Sequence, residues 1–340
     1  MSVSKLLTAG LALIGASSVE LINRGSTNRV SGCGKEPNVA LNKRVNATLP
    51  SGRKYLFWVP PNYDANQQTA LILSFHGATR TPESQADLDL LTTPFFSSGE
   101  KDHHIVVYPS SGEYGKNKGR YWQGAPQVPH DVDDVAYVLE ILEDMEAKFC
   151  IDTQRVYATG KSQGGLMTNN LACDARSSGR FAAFAPVSGA YYVDVPEAEC
   201  MPLTLKSAAC EPVREHTPML VFHGGDDNTI PYSGGPRSGE CLPFIPHFVA
   251  EWAARDGLGS DPDSVGALSG AADNATVYSY GSGDTTDLVR LVYSGNHVDH
   301  SWPATIPNAD SIAHGTGPAT FNASSLILDF FAGYTLQGRV

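Results

Sequence analysis

The chain has 340 residues, 41% hydrophobic and 18% charged, and its 24 Lys and Arg against 36 Asp and Glu give a formal charge of −12. That acidic balance repels nucleic acid and anionic membrane surfaces, so neither is expected as a partner and a neutral or weakly charged ligand is. Beyond the first residues no stretch is long and apolar enough to span a bilayer.

Met1 to Lys5 is a short charged start, the run from Leu6 to Ala16 is apolar, and Ala16-Ser17-Ser18 offers small residues for cleavage. This pattern predicts a secretory signal peptide over 1–18 and a secreted, extracellular mature chain. Cleavage there removes Lys5 and takes the formal charge from −12 to −13. A polar segment follows over 19–32, and one domain is expected over 33–340. Three acceptor sequons, at Asn46, Asn274 and Asn322, fit export.

Strands are predicted at 53–59, 70–76, 104–108, 155–159, 182–187, 218–223 and 288–294. They alternate with helices at 131–149, 165–173, 244–254 and 324–334. In 131–149 the apolar Val135, Val138, Leu139, Leu142 and Met145 recur on one face. Alternating strand and helix predicts a doubly wound α/β fold, a mostly parallel sheet with helices on both faces. The segment 188–216 is longer than a connection needs and reads as a cap over the site. His103 and His104 precede a strand and are expected in solvent.

Six cysteines in an exported chain predict three disulfides. Cys150 starts the strand before the central motif and Cys173 ends the helix after it, which suggests Cys150–Cys173. Cys200–Cys210 would close a short loop and leave Cys33–Cys241.

The central motif is Gly160-Lys161-Ser162-Gln163-Gly164, between a predicted strand and a predicted helix. A G-x-S-x-G in that setting predicts a nucleophile elbow, a turn tight enough to require glycine flanks and to expose the serine Oγ. A phosphate-binding loop is excluded, because Arg155 stands where that motif needs glycine. A serine nucleophile needs a histidine to take its proton and a carboxylate to orient the histidine. Past the strand ending at His223 lie Asp226 and Asp227; past the strand ending near 294 lie His297 and His300. Spacing alone separates neither pair. His297, Asp299 and His300 lack a third ligand in helical spacing, so no metal is expected. The Ala78 N–H, after the strand that breaks at His76-Gly77, and the Gln163 N–H are candidate oxyanion donors, with Thr79 as a substitute for Ala78. Trp122, Tyr191, Tyr192, Tyr232 and Trp302 are candidates for lining an acyl pocket.

From Cys33 onward the chain resembles the α/β-hydrolase superfamily. Within it, the chain is similar to secreted fungal feruloyl esterases of carbohydrate esterase family one and to polyhydroxybutyrate depolymerase-like esterases. The resemblance is carried by His76-Gly77, Asp133-Asp134-Val135, the stretch from Cys150 to Gly164, Phe181 to Gly189, His223-Gly224 through Ile230-Pro231-Tyr232, and His300-Ser301-Trp302-Pro303. The oxyanion segment His76-Gly77-Ala78-Thr79-Arg80 lacks the extra glycine or aromatic residues of close feruloyl esterases. The resemblance implies that the acid of the H-G-x-x-D-x-x-[VI]-P-Y turn is Asp227 and that the base of the H-x-W-P segment is His300. It implies a serine esterase that needs no cofactor and hydrolyses feruloyl esters on plant cell-wall xylan. An acetylxylan esterase or a polyhydroxyalkanoate depolymerase is the alternative. The same triad cleaves amides, which keeps a peptidase open. From another class, a non-catalytic binding protein on this fold would lack a triad residue, and none is missing here.

Overall fold

The computed structural model describes residues 1, 31–92, 104–206, 210–271, 275–295 and 298–340. The expected signal peptide over 1–18, Met1 apart, nearly all of 19–32, and His103, Asn274 and His297 lie outside the described residues.

A ten-stranded sheet forms the frame. Its strands are β1 (Arg44–Thr48), β2 (Lys54–Trp58), β3 (Thr69–Phe75), β4 (His104–Pro109), β7 (Ile151–Lys161), β8 (Ala183–Val187), β9 (Met219–His223), β12 (Ser264–Ala267), β13 (Thr276–Tyr280) and β14 (Val289–Tyr293). The hairpin strands β5 (Gly112–Tyr114), β6 (Gly119–Tyr121), β10 (Gly235–Arg237) and β11 (Glu240–Leu242) lie outside it. The order is β1-β2-β4-β3-β7-β8-β9-β14-β13-β12, with every pair from β4 to β14 parallel and the flanking pairs antiparallel.

All seven residues of β3 are buried, because helices cover both faces of the sheet. Strand side chains alternate, so Leu71, Leu73 and Phe75 join one core while Ala70 and Ile72 join the other. The first core is closed by α2 (Asp134–Lys148), α3 (Gln163–Cys173) and α4 (Ile245–Arg255) through Val138, Leu142, Met167, Leu171, Phe248 and Trp252. The second is closed by α1 (Pro82–Asp89) and α6 (Ala323–Ala332) through Ala86, Leu88, Ile327 and Phe331. A sixth helix, α5 (Ala309–His314), follows the last sheet strand. The predicted doubly wound α/β architecture is therefore present.

The disulfides differ from expectation. Cys33 pairs with Cys150, Cys173 with Cys210 and Cys200 with Cys241. The expected Cys150–Cys173 pair fails on length. The eleven residues of β7 cover about 36 Å at ~3.3 Å each, whereas the eleven of α3 return only about 16 Å at ~1.5 Å each. Cys173 therefore stops halfway down the sheet. Cys150 is met instead by the first described segment, whose Gly32 N–H donates to Glu146 O at 2.8 Å. Cys210 is brought to Cys173 beside the Glu211 N–H to Cys173 O bond of 2.9 Å, so it is unavailable to Cys200. Cys200 closes on Cys241, whose backbone bridges Val193. That leaves Cys33–Cys241 impossible. His104 is buried, not solvated, with Nε2 3.3 Å from Leu91 O.

Candidate active site

Ser162 sits between the end of β7 and the first residue of α3 with φ 59° and ψ −119°. A non-glycine residue in that region costs on the order of 1–3 kcal/mol and persists only where its surroundings fix it. Here the Ser162 N–H donates to Val187 O at 3.0 Å, and its carbonyl accepts from Leu166 and Ala190 N–H groups at 3.1 Å each. The glycine at 164 is required by contact, since a Cβ there would stand 2.0 Å from Phe75 O.

The candidate acid and base, Asp227 and His300, arrive on two loops stitched together. Gly225 N–H donates to Gly295 O at 2.8 Å, and Asp226 N–H to Val298 O at 3.3 Å. Gly224 permits the approach, because a Cβ at 224 would stand 2.1 Å from Val298 O. Asp226 is exposed and Asp227 buried, so the adjacent carboxylates point opposite ways. Asp227 Oδ2 lies 2.8 Å from His300 Nδ1, while Oδ1 accepts from the Thr229 and Ile230 N–H groups at 2.9 and 2.7 Å. Burial pushes the Asp227 carboxyl up, but His300, His223 and the Ile230 N–H together outweigh it and hold it below the usual range. The His300 imidazole titrates below its ordinary value: burial is the main cause, the Lys161 ammonium adds to it, and Asp227 opposes both. A lowered imidazole pKa favours the neutral form, the form that proton abstraction would require.

Ser162 and His300 line one cavity of about 250 Å³. Its wall also carries Gly77, Ala78, Arg80, Leu88, Lys161, Thr229, Ala309, Asp310 and His314. Neither the Ala78 nor the Gln163 N–H has an acceptor among the described residues. Gln163 is the first residue of α3, so its N–H has no intrahelical partner either. Thr79, with φ 61°, turns its N–H to Arg120 O at 2.7 Å and is not free to substitute for Ala78.

None of the five aromatic candidates is in the described lining of this cavity. Trp122 is fully buried and donates to His76 O at 2.8 Å, bracing the turn after β3. Trp302 is equally buried and donates to Ser324 Oγ at 3.0 Å. Tyr191 stacks on Phe248 with centroids 3.7 Å apart. Tyr232 packs among Phe244, Tyr293 and His223. Tyr192 faces a separate cavity of about 250 Å³ with His130, Asp194 and Glu240. The segment 188–216 contributes none of the described lining of the Ser162 cavity. Of the sequons, Asn46 is exposed on the edge strand β1, and Asn322 caps α6 by accepting from Ser324 N–H at 3.0 Å.

Sequence reasoning missed the buried pair of Lys161 Nζ with Asp310 Oδ2 at 2.7 Å and the contribution of α5 to the cavity wall. Lys161 lay in view inside the motif; nothing local marks Asp310 as its partner. His223 was also missed: it is fully buried, 3.5 Å from Asp227 Oδ2, with Nε2 2.7 Å from Ile230 O.

Among solved structures, an acetyl xylan esterase from Aspergillus awamori superposes over 80% of this chain and 97% of its own, with TM-score 0.53 and 18% identity. The chain has the α/β-hydrolase fold. Residues 102–199 of this chain, the stretch from β4 past the elbow and through β8, match the prolyl oligopeptidase family. Curated relatives include a probable feruloyl esterase C of Aspergillus clavatus, 27% identical over 61% of this chain and 65% of that one. Another, of Aspergillus flavus, is 27% identical over 74% of this chain and 82% of its own. The chain thus spans just under two thirds of the first relative's length.

Proposed function

We propose that this α/β-hydrolase is a secreted serine carboxylic ester hydrolase acting on feruloyl (hydroxycinnamoyl) esters of plant cell-wall xylan. The observation that carries the reading is the His300 imidazole, fixed through Nδ1 by Asp227 and facing the same cavity as a serine held at positive φ. Ser162 Oγ attacks the ester carbonyl as His300 Nε2 takes its proton. The Ala78 and Gln163 N–H groups receive the developing oxyanion. The tetrahedral intermediate collapses as His300 returns the proton to the departing sugar oxygen, leaving an acyl-Ser162 ester. Water, deprotonated by the same imidazole, then releases the acid and restores the serine.

The names of the curated relatives support the feruloyl substrate. One specific observation favours a shorter acyl group: the described lining of the cavity holds no aromatic ring apart from the imidazoles. An acetylxylan esterase or hydroxyalkanoate depolymerase is therefore the second reading. Three disulfides, and no helix among the described residues long and apolar enough to cross a membrane, fit the secreted reading.

The test is hydrolysis of methyl ferulate, p-nitrophenyl acetate and a hydroxybutyrate oligomer by wild type and Ser162→Ala. Abolition in the variant is expected; equal activity ends the mechanism. The preferred ester sets the substrate. Failure of a fluorophosphonate probe to label Ser162 would favour a binding protein, and cleavage of a p-nitroanilide in preference to esters a peptidase.

A further inference from the structure

Ser162 and His300 lie 138 positions apart and on different loops, yet proton transfer requires them to hold a fixed separation. The six-residue helix α5 touches the neighbours of both. Its Asp310 reaches Lys161, the residue before the nucleophile, at 2.7 Å, and both side chains are more than nine-tenths buried. Its last residue, His314, reaches Asp299, the residue before the base, with Nδ1 3.1 Å from Oδ2. Its cap, Asn308, donates from Nδ2 to the carbonyl of Trp302, two residues after the base, at 2.8 Å. The same Asn308 accepts from the Asp310 and Ser311 N–H groups at 3.1 and 3.0 Å, which fixes the first turn that carries Asp310.

We propose that α5 is a three-point staple setting the distance between nucleophile and base, with Lys161 as a positioning residue that fastens it to the elbow through Asp310. This inference rests on the ester-hydrolase reading. Asp299 and Trp302 bracket His300, so a helix fixed to both cannot shift without moving the imidazole. Asp310 ties that helix to β7 one residue before Ser162, closing a mechanical circuit from nucleophile to base. An ion pair suits the Lys161 end, because the cavity wall there is polar and an unpartnered buried charge would be costly. The strut is also electrostatic. The charged and titratable groups around His300 are Asp299 beside it, His223 from the end of β9, Asp227 from the loop after that strand, Lys161 from β7, Arg80 from the cavity wall, and Asp310 and His314 from α5. Of these the Lys161 ammonium works against the imidazolium, so a variant without it alters the pH dependence as well as the geometry.

The experiment compares wild type, Lys161→Met, His314→Ala and Ser162→Ala on p-nitrophenyl acetate, with kcat and KM from pH 4 to 8 and circular dichroism for folding. Lys161→Met is expected to lower kcat by roughly ten- to a hundredfold, the scale of a sub-ångström to 1 Å misplacement. KM should stay within threefold, and the acid limb of kcat/KM should move to higher pH. His314→Ala removes the second fastening at a side chain about a third exposed. It should lower kcat several-fold with KM unchanged, and it decides the matter alone where Lys161→Met does not fold. Both variants retaining kcat within twofold overturns the staple, as does a loss borne by KM rather than kcat. A Ser162→Ala variant as active as wild type would instead mean that the ester-hydrolase reading had failed.

Discussion

Replacing Asp227 by Asn tests the site at its most constrained bond. The structure decides how the amide would sit. Two backbone donors, the Thr229 and Ile230 N–H groups, point at Oδ1, whereas Oδ2 faces ring nitrogens, His300 Nδ1 at 2.8 Å and, farther off, His223 Nε2 at 3.5 Å. An amide oxygen satisfies the two donors and an amide NH₂ cannot, so the NH₂ is driven toward His300. Facing a donor, Nδ1 must accept, and the neutral ring then carries its proton on Nε2. That tautomer cannot take the serine proton. The analogous substitution in serine proteases costs about 10,000-fold in turnover, and the same order is expected here. Packing changes little, because the side chain keeps its shape and its two backbone contacts, so a stability loss of about 1–3 kcal/mol is the ceiling. Steady-state hydrolysis of p-nitrophenyl acetate, with a thermal melt on the same preparation, gives both numbers. The exposed neighbour serves as control: Asp226→Asn should behave as wild type. Activity of Asp227→Asn within tenfold of wild type, or equal damage from Asp226→Asn, refutes the reasoning.

Four further outcomes are expected. Burial and the Lys161 charge depress His300 against the pull of Asp227, so the acid limb of kcat/KM should have its midpoint below 6.5; a midpoint at 7 or above contradicts the site's electrostatics. His76 Nε2 accepts from the Ser111 N–H at 3.2 Å and burial lowers its pKa to about 4, so its imidazole resonances should stay in the neutral form down to that pH. Its folded pKa lies below the unfolded value, so its contribution of about 3 kcal/mol is complete above pH 6.5 and is lost as pH falls toward 4. Gly164→Ala puts a Cβ 2.0 Å from Phe75 O, where only backbone could yield, and should cost about 3 kcal/mol or more; an unchanged melting temperature would be inconsistent with the elbow. Non-reducing peptide mapping should recover Cys33–Cys150, Cys173–Cys210 and Cys200–Cys241. With partners 117 residues apart, the first should stabilise by about 5 kcal/mol in the loop-entropy limit against about 4 for the second, at 37 apart.

What the sequence made legible was whatever is written locally. The seven predicted strands lie within a few residues of observed ones, because each is an apolar run ended by Gly or Pro. The exception in length is β7, which begins at Ile151 although Asp152 to Arg155 are not apolar; pairing of Thr69 with Ile151 extends it. Missed elements lack such writing. Helix α1 reads Pro-Glu-Ser-Gln-Ala-Asp-Leu-Asp and has no apolar stripe, yet Gln85 and Asp89 are buried because Ser74 hydrogen-bonds both, Gln85 Nε2 at 3.1 Å and Asp89 Oδ2 at 2.6 Å. Strands β12 and β13 join the sheet edge antiparallel, with β12 exposed along its length, so no burial pattern marked them. The disulfides show the same boundary, for their partners are set by where chain segments cross rather than by spacing.

The misplaced aromatic residues carry a further lesson about substrate. Trp122 and Trp302 stand beside site motifs in sequence because loops that must hold atoms in place are braced by large side chains with one polar end. Trp122 braces the turn after β3 through His76 O, and Trp302 ties the His300 loop to α6 and, through Ser324 Oγ, to Asp89 O at the end of α1. Their rings are spent on the frame, which leaves Leu88, Ala78 and Ala309 as the apolar lining beside Ser162. Such a wall grips a methyl or short alkyl group through few contacts, while Arg80, Lys161, Asp310 and His314 make much of the remainder polar. On the proposed ester-hydrolase reading, recognition in this cavity would fall chiefly on hydrogen bonding around the ester. Selectivity for a large planar acyl group would have to come from outside the residues that line it.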